Sequence, residues 1–371
     1  MKKSAVAIII VILVILLILI NLRSKENIVI GGTFALTNSL AYVGNDEKNG
    51  MEMAIEDINA KGGINGRKLT LIAEDNAGDA KNAVTGVQKL ITVDKADVIY
   101  SAFTHITRAV APVVSEAKIP LLYSAVDRTV AEDNRYFFRD YFDNIDIGKR
   151  LADSVLDNKY QKVKILSEIS DSCNQLVNAF KEESTGKLVI SKEELFQGTE
   201  TDFRTHLTKL DLKENDALLV CAFKQVNILM KNMNELNLLG TQTFQLSAPS
   251  IPAANTPEIK ELFSENQTVS SWYGFADKGN TKRQNEFILR YKEKFGVEPG
   301  SDSVFAYDDI MILKDVLKKC YKDKLDNECF EKEMLATDYD GVAGKLRFNQ
   351  NRLSTRDTLL IQAKNGVWEK I

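Results

Sequence analysis

The stretch Met51–Glu74, MEMAIEDINAKGGINGRKLTLIAE, holds a helix, a stop, a turn and a strand in that order. Met51, Ala54, Ile55 and Ile58 recur at i, i+3, i+4 and i+7, which is one apolar face of a helix. Gly62-Gly63 can end that helix, because glycine enters left-handed geometry without a Cβ clash. Asn65-Gly66 signals a tight turn, and Lys68 to Glu74 reads as a strand. The unit repeats in both directions. Upstream, Ile28-Val29-Ile30 is a strand. Downstream, Val84, Val87 and Ile91 mark a helix, Asp97 to Tyr100 a strand, Val110 to Ala117 a helix and Pro120 to Ser124 a strand.

A second series begins after Arg139. Its helices centre on Ile147-Leu151-Val155, Asn174 to Glu183, Phe203 to Leu210 and Val226-Leu229-Met233-Leu236. Its strands are Val163 to Ser167, Leu188 to Ser191, Ala217 to Cys221 and Thr243 to Leu246. Apolar runs such as Ala217-Leu218-Leu219-Val220 suit strands covered on both faces, as in parallel sheets. Strands alternating with helices predict an α/β chain, and 371 residues are enough for two doubly wound lobes. Thr358 to Ala363 and Val367 to Lys370, joined through Asn365-Gly366, predict an antiparallel hairpin added at a sheet edge.

Composition excludes several classes. With 48 Lys+Arg against 52 Asp+Glu, the chain lacks the basic field that a nucleic-acid partner requires. Two histidines and four scattered cysteines, with no Cys-x-x-Cys, leave little material for a metal site. His105 and His206 have no His-x-x-x-His spacing, and Gly31-Gly32-Thr33 lacks the third glycine of a dinucleotide loop. No G-x-S-x-G elbow is present. Neither a cofactor nor a catalytic set is signalled, so a binding protein is expected rather than an enzyme.

Met1, Lys2 and Lys3 precede Ala5 to Ile20, which carries no polar side chain. That run makes about 24 Å of apolar helix, just short of a hydrocarbon core of about 30 Å. A cleaved signal peptide and an uncleaved signal anchor both place the body outside the cytoplasm. Leu19 to Arg23 offers no small-residue processing site, which favours the anchor. In an oxidising compartment, Cys320 and Cys329 could pair across the polar stretch Tyr321 to Glu328. Cys221, inside an apolar strand, reads as a small buried hydrophobe, and Cys173 is open to either reading.

Ligands of open α/β sheets bind beyond the carboxyl ends of strands. Thr37, Asn38, Ser39 and Tyr42 follow the first strand here. Ser101, Phe103, Thr104, His105 and Thr107 follow Val98-Ile99, and Ser124, Ala125, Asp127 and Arg128 follow Leu121-Leu122. Thr104 to Thr107 also opens a helix, whose free N–H groups favour an anion. Hydroxyls in such places also serve as plain helix caps.

Ile58-Asn59-Ala60-Lys61-Gly62-Gly63-Ile64-Asn65-Gly66-Arg67-Lys68-Leu69 resembles a hallmark segment of the type I periplasmic binding proteins, branched-chain amino-acid-binding group. Gly50 to Ala54, Phe138-Arg139, Thr201-Asp202-Phe203, Tyr291 to Gly296, Ala306-Tyr307-Asp308 and Gly341 to Gly344 with Phe348 follow the family's order. The resemblance covers Asn27 to Ile371. It implies two Rossmann-like lobes joined by a three-stranded hinge, with a leader at 1–26. Lobe 1 would be 27–143 plus 275–354, and lobe 2 would be 144–274 plus 355–371. It also implies capture of one small solute by closure and transfer to an ABC permease; some relatives are ligand-sensing ectodomains.

The resemblance carries its site over with departures. The family's first hydroxyl contact falls on Thr104 and its second on Asp127, where a carboxylate would repel a ligand carboxylate. Two unit charges about 4 Å apart cost about 4 kcal/mol at an effective dielectric of about 20. Asp127 is therefore expected to receive an amino or amide group, unless it only caps its own turn. The second-lobe acid falls on Ser247 or Ala248, the covering aromatic on Phe223 and the tyrosine of a Tyr-Gly pair on Ser172. Tyr42, Phe103, His105 and Ala125 complete the ligand-binding candidates. Tyr307 is expected to open a helix and support the cleft.

Overall fold

Asn65 and Gly66 sit at φ 53° and 76°, the left-handed pair that a two-residue reversal requires. Ile64 and Arg67 close the turn with backbone hydrogen bonds of 2.8 and 2.9 Å. They do so in a computed structural model that describes residues 26–213, 216–222, 225–244, 257–272, 275–356 and 359–371. The helix before the turn is α1, Ala41–Ala60, and the strand after it is β2, Leu69–Asp75. α1 starts well before the periodic face read from Met51, because Gly44, Glu47 and Gly50 continue its buried side.

The first sheet holds β1 (Ile28–Phe34), β2, β3 (Val98–Ala102), β4 (Leu121–Ser124) and β5 (Phe137–Arg139), in the order β2-β1-β3-β4-β5. All its pairings are parallel. α1, α2 (Ala80–Thr92) and α3 (Thr104–Ala117) connect its strands. β3 and β4 are buried at every position, as strands covered on both faces must be.

The second sheet runs β15-β14-β10-β9-β8-β6-β7. Its parallel part is β6 (Lys162–Glu168), β7 (Val189–Phe196), β8 (Ala217–Cys221), β9 (Gln242–Phe244) and β10 (Val269–Trp272). Helices α4 (Asn144–Asp157), α5 (Asp171–Ser184), α6 (Arg204–Leu210), α7 (Val226–Glu235) and α8 (Pro257–Glu265) alternate with those strands. The hairpin β14 (Leu359–Lys364) and β15 (Val367–Lys370) adds antiparallel to β10 at one edge. β7 extends past Ser191 to Phe196. Its outer residues are exposed and charged, so apolar patterning could not reveal its full length.

Between these two tracts lie α9 (Lys282–Phe295), α10 (Ser301–Cys320), α11 (Asn327–Leu335) and an antiparallel sheet of β11 (Asp338–Gly341), β12 (Gly344–Phe348) and β13 (Ser354–Arg356). α10 lies along α1, and the contact is close. A Cβ on Gly50 would stand 2.1 Å from the Ser303 carbonyl oxygen. A disulfide joins Cys320 at the end of α10 to Cys329 in α11. The backbone leaves the first sheet after β5, returns after β10 to pack α9 on α1 through Tyr291 and Asn49 (3.2 Å), and leaves again after β13 for β14.

A charged cluster is buried beside two of those passages. Arg356, at the end of β13, donates to Asp140 just after β5 (Nε to Oδ1 2.9 Å) and to Asp308 of α10 (3.3 Å). Asp308 also accepts the Val342 and Ala343 amides at 2.9 Å each. All three side chains are withdrawn from water, where a charge is tolerated only if paired. Tyr307 does not open α10 but lies inside it, where its hydroxyl donates to Asp57 at 2.7 Å.

Candidate functional site

In each parallel sheet the strand order reverses once, between β1 and β3 and between β6 and β8. Chain connections diverge there and leave a crevice beyond the strand ends. At the first crevice β3 gives way to α3 through Phe103, which adopts φ 63°, ψ 136°. A phenylalanine rarely takes that backbone geometry. Its N–H bonds to the Ser124 carbonyl at 3.0 Å, which holds the bend and starts α3 at Thr104. The helix therefore presents its unbonded N–H groups at the crevice, a setting that favours an anionic group.

The first-sheet candidates gather there with different degrees of freedom. Thr104 accepts a hydrogen bond from the Asp127 amide at 3.3 Å. Asp127 is buried and already engaged: Arg108 pairs with one carboxylate oxygen, and the other accepts the Thr129 amide at 2.9 Å and the Thr129 hydroxyl at 2.8 Å. Burial pushes its carboxyl up, but the Thr129 and Arg108 hydrogen bonds outweigh that, and the group titrates below its ordinary value. It holds the turn together. His105 is exposed, with Nε2 3.1 Å from the Gly78 carbonyl oxygen. Ala125 is buried, and its carbonyl accepts Arg139 Nε at 2.6 Å. Arg128 reaches Asp143, the residue that caps α4, so the β4 loop is tied to the first passage between the sheets.

One corner beside this crevice was signalled by the sequence only at Tyr42. Tyr42 lies in the first turn of α1 and is 61% exposed. Asp46 and Glu47 follow on that helix, and Asp302 opens α10. Asp46 is satisfied by the Tyr291 hydroxyl (2.7 Å) and the Gly300 and Ser303 amides (3.1 and 2.8 Å). Glu47 is 1% exposed; its Oε1 accepts the Tyr100 hydroxyl at 2.9 Å, while Oε2 accepts no hydrogen bond. Burial, followed by the Asp302 charge, pushes Glu47 well above the usual carboxylate range. Low-dielectric surroundings and the Asp46 charge push Asp302 up to about 7. The Asp302 charge acts in turn on the Tyr42 and Tyr141 phenols, adding to the effect of burial on both. No motif marks this corner, because its members come from α1, α10 and the segment after β5.

At the second crevice Ser170 caps α5 by accepting the Cys173 amide at 3.3 Å. Ser172 accepts Asn144 Nδ2 at 2.8 Å. Cys173, three residues into that helix, forms a disulfide with Cys221 at the end of β8. Cys221 is buried as expected, but it is cross-linked rather than a free apolar thiol. The bond spans the point of strand reversal, where the ends of β6 and β8 part. Phe223, Ser247, Ala248 and the apolar segment 5–20 lie outside the described residues. Among the described residues, no helix is long and apolar enough to cross a membrane, and no group of three or more His, Cys, Asp or Glu side chains could hold a metal ion.

Comparison with known proteins agrees with this architecture. A family model described as periplasmic binding protein matches residues 27–366. Leu/Ile/Val-binding protein homolog 7 of Brucella abortus is 24% identical over 362 residues, 90% of this chain and 88% of that protein. The branched-chain amino acid transporter substrate-binding protein LivJ of Streptococcus pneumoniae, solved with isoleucine, has a TM-score of 0.77 at 22% identity. The match covers 93% of this chain and 99% of that one. A solute-binding protein of an ABC transporter from Rhodopseudomonas palustris, solved with 3,4-dihydroxybenzoic acid, has a TM-score of 0.78 at 22% identity over 93% and 96%. Both structural likenesses are of fold.

Proposed function

The chain belongs to the periplasmic binding protein family, and from that membership we propose that it captures an amino acid or a related amide or amine outside the cytoplasm and delivers it to an ABC importer. The observation that carries the reading is the pair of strand-reversal crevices, each lined by polar groups from a helix start: Thr104 of α3 at one, Ser172 of α5 at the other. In this reading two lobes, 27–143 plus 275–354 and 144–274 plus 355–371, close around the solute by bending at the three passages of the backbone. Closure gives the permease a means to tell loaded from empty protein, provided the ligand binds the closed state better than the open one. An N-terminal anchor at 1–26 would keep the protein beside its permease. Thr104 and the α3 amides would take an anionic group of the solute.

The experiment is a thermal-shift screen of the full-length chain against amino acids, amides, amines and aromatic acids. The last class enters because a relative of the same fold is named with such a ligand. Each stabilising compound is followed by small-angle scattering. At least one compound should raise the melting temperature and shrink the radius of gyration. If none does either, the proposal is wrong.

A further inference from the structure

We infer that the end of the first sheet farthest from its crevice docks on an anionic lipid surface, through unpaired lysines that surround the start of β1. The inference goes beyond solute capture and concerns the membrane that the proposed N-terminal anchor would enter.

The five strands of the first sheet are all parallel, so their starts gather at one end and the crevice lies at the other. Lys68 leads into β2, Lys95 stands shortly before β3, and Lys118 shortly before β4. The link between α10 and α11 is fastened to the same end. Arg67 donates to the Lys322 carbonyl at 2.9 Å, and the Tyr321 hydroxyl donates to Asp97 at 2.9 Å. Asn327 donates to the Lys118 carbonyl at 2.7 Å, and Asn65 to the Lys318 carbonyl at 2.9 Å. Lys318, Lys322 and Lys324 therefore join the other three lysines on one surface. All six are exposed. The ion pairs nearby use other cations: Arg67 with Asp323, Lys89 with Asp94 and Lys319 with Glu333. Among the described residues none of the six lysines is ion-paired. Asp326 is engaged as the cap of α11. Glu26, Glu116, Glu132 and Asp133 are exposed towards this end as well, and the lysines outnumber them.

The chain as a whole carries a formal charge of -4, so the remaining surface is more acidic still. An anionic surface attracts this end and repels the rest, which sets an orientation as well as an affinity. The position of the N-terminal segment chooses lipid as the partner. Arg67 Nη1 donates to the Glu26 carbonyl at 3.1 Å, which pins the start of the body inside the lysine group. In the sequence only Asn21 to Lys25 separate Glu26 from the apolar run 5–20, and Arg23 and Lys25 add two cations. Such a spacer reaches about 18 Å at full extension. An embedded run would therefore hold the lysines within about two Debye lengths of the headgroups at physiological salt. Because the crevice is at the opposite end, a body docked in this way turns it towards solution.

The test places the full-length chain on vesicles of phosphatidylcholine alone, and on phosphatidylcholine mixed with an equal share of phosphatidylglycerol. Flotation reads binding, and acetylation rates followed by mass spectrometry read the exposure of each lysine. In about 0.1 M salt, the six lysines should react about fivefold more slowly on the anionic vesicles than on the neutral ones. Lys162 and Lys364, exposed on the second sheet, should react alike on both. About 1 M salt should erase the protection, because the Debye length falls to about 3 Å. Lys68→Gln, Lys318→Gln, Lys322→Gln and Lys324→Gln combined should abolish the protection of Lys95 and Lys118. The melting temperature should not change, since none of the four is ion-paired. Equal rates on the two kinds of vesicle overturn the inference, although flotation with neutral vesicles then leaves the anchor standing. Protection that extends to Lys162 and Lys364 overturns it too, because the adsorption is then unoriented. Salt-sensitive protection of the six on anionic vesicles, without flotation on neutral ones, supports the docking surface and removes the anchor. Failure to float with either kind removes both.

Discussion

Asp309 of α10 is fully buried, and neither of its oxygens finds a hydrogen-bond donor. Burial and the adjoining Asp140 carboxylate push its carboxyl well above the usual range. Asp140 itself is held low, because Arg356 outweighs the cost of burying it. Asp309 therefore holds its proton to higher pH than an ordinary carboxyl and, while protonated, can offer it to Asp140. A carboxyl whose folded-state value is raised stabilises the fold relative to its ionised form only at low pH, and costs progressively more as pH rises above its unfolded value of about 3.9. Asp309→Asn preserves a donor without that cost. Its melting temperature should equal the parent's near pH 4 and exceed it increasingly towards pH 8; a pH-independent difference would contradict the assignment. Asp302 obeys the same sign, losing stability as pH rises from its unfolded value of about 3.9 to its folded value of about 7 and levelling off above that. Neither residue was legible as special in the sequence. An aspartate in the first turn of a helix is a common dipole partner, and what distinguishes Asp302 is its burial and the charge of Asp46, which comes from a helix remote along the chain.

α1 and α10 touch through backbone at Gly50, so this glycine is a spacing device. Gly50→Ala must push the helices apart or bend one of them. The cost should be about 1–3 kcal/mol in urea unfolding, and an unchanged midpoint would show that the contact is looser than it looks. The alternation of strands with helices was legible because each element carries its own periodicity. The Asn65-Gly66 and Asn365-Gly366 turns were legible for the same local reason. The Cys173–Cys221 bond was not, since cysteine connectivity is a property of the assembled sheet. It joins cysteines 48 positions apart and fixes the start of α5 to the end of β8. Replacing both cysteines with serine should cost about 2–4 kcal/mol. It should also weaken whatever ligand the screen identifies, because the second crevice loses its brace. A variant as stable as the parent would assign the bond no structural role. Of the candidate site, Thr104 stands at the predicted start of α3, whereas Ser172 lies in the first turn of a helix read from the sequence only from Asn174 onward. Asp127 was legible as a polar strand-end residue, but its Arg108 partner was not.

Each half of the molecule is completed by chain that arrives late. Trp368 in β15 is fully buried against Phe263 of α8, within the apolar cluster that also takes in Leu218, Val220 and Met233. Trp368→Ala should therefore cost about 3–5 kcal/mol, measured as a loss in unfolding free energy. A surface-like change below about 0.5 kcal/mol would mean that the hairpin is an accessory. The pairing of β10 with β14 has a consequence for biosynthesis. β10 emerges with its neighbour β9 on one side and bare amide and carbonyl groups on the other. Those groups stay unmatched while α9, α10 and α11 are being made. A row of unmatched strand groups recruits any extended polypeptide nearby, so the nascent protein passes through an interval of vulnerability to intermolecular pairing. That interval closes only when residues 359–364 dock.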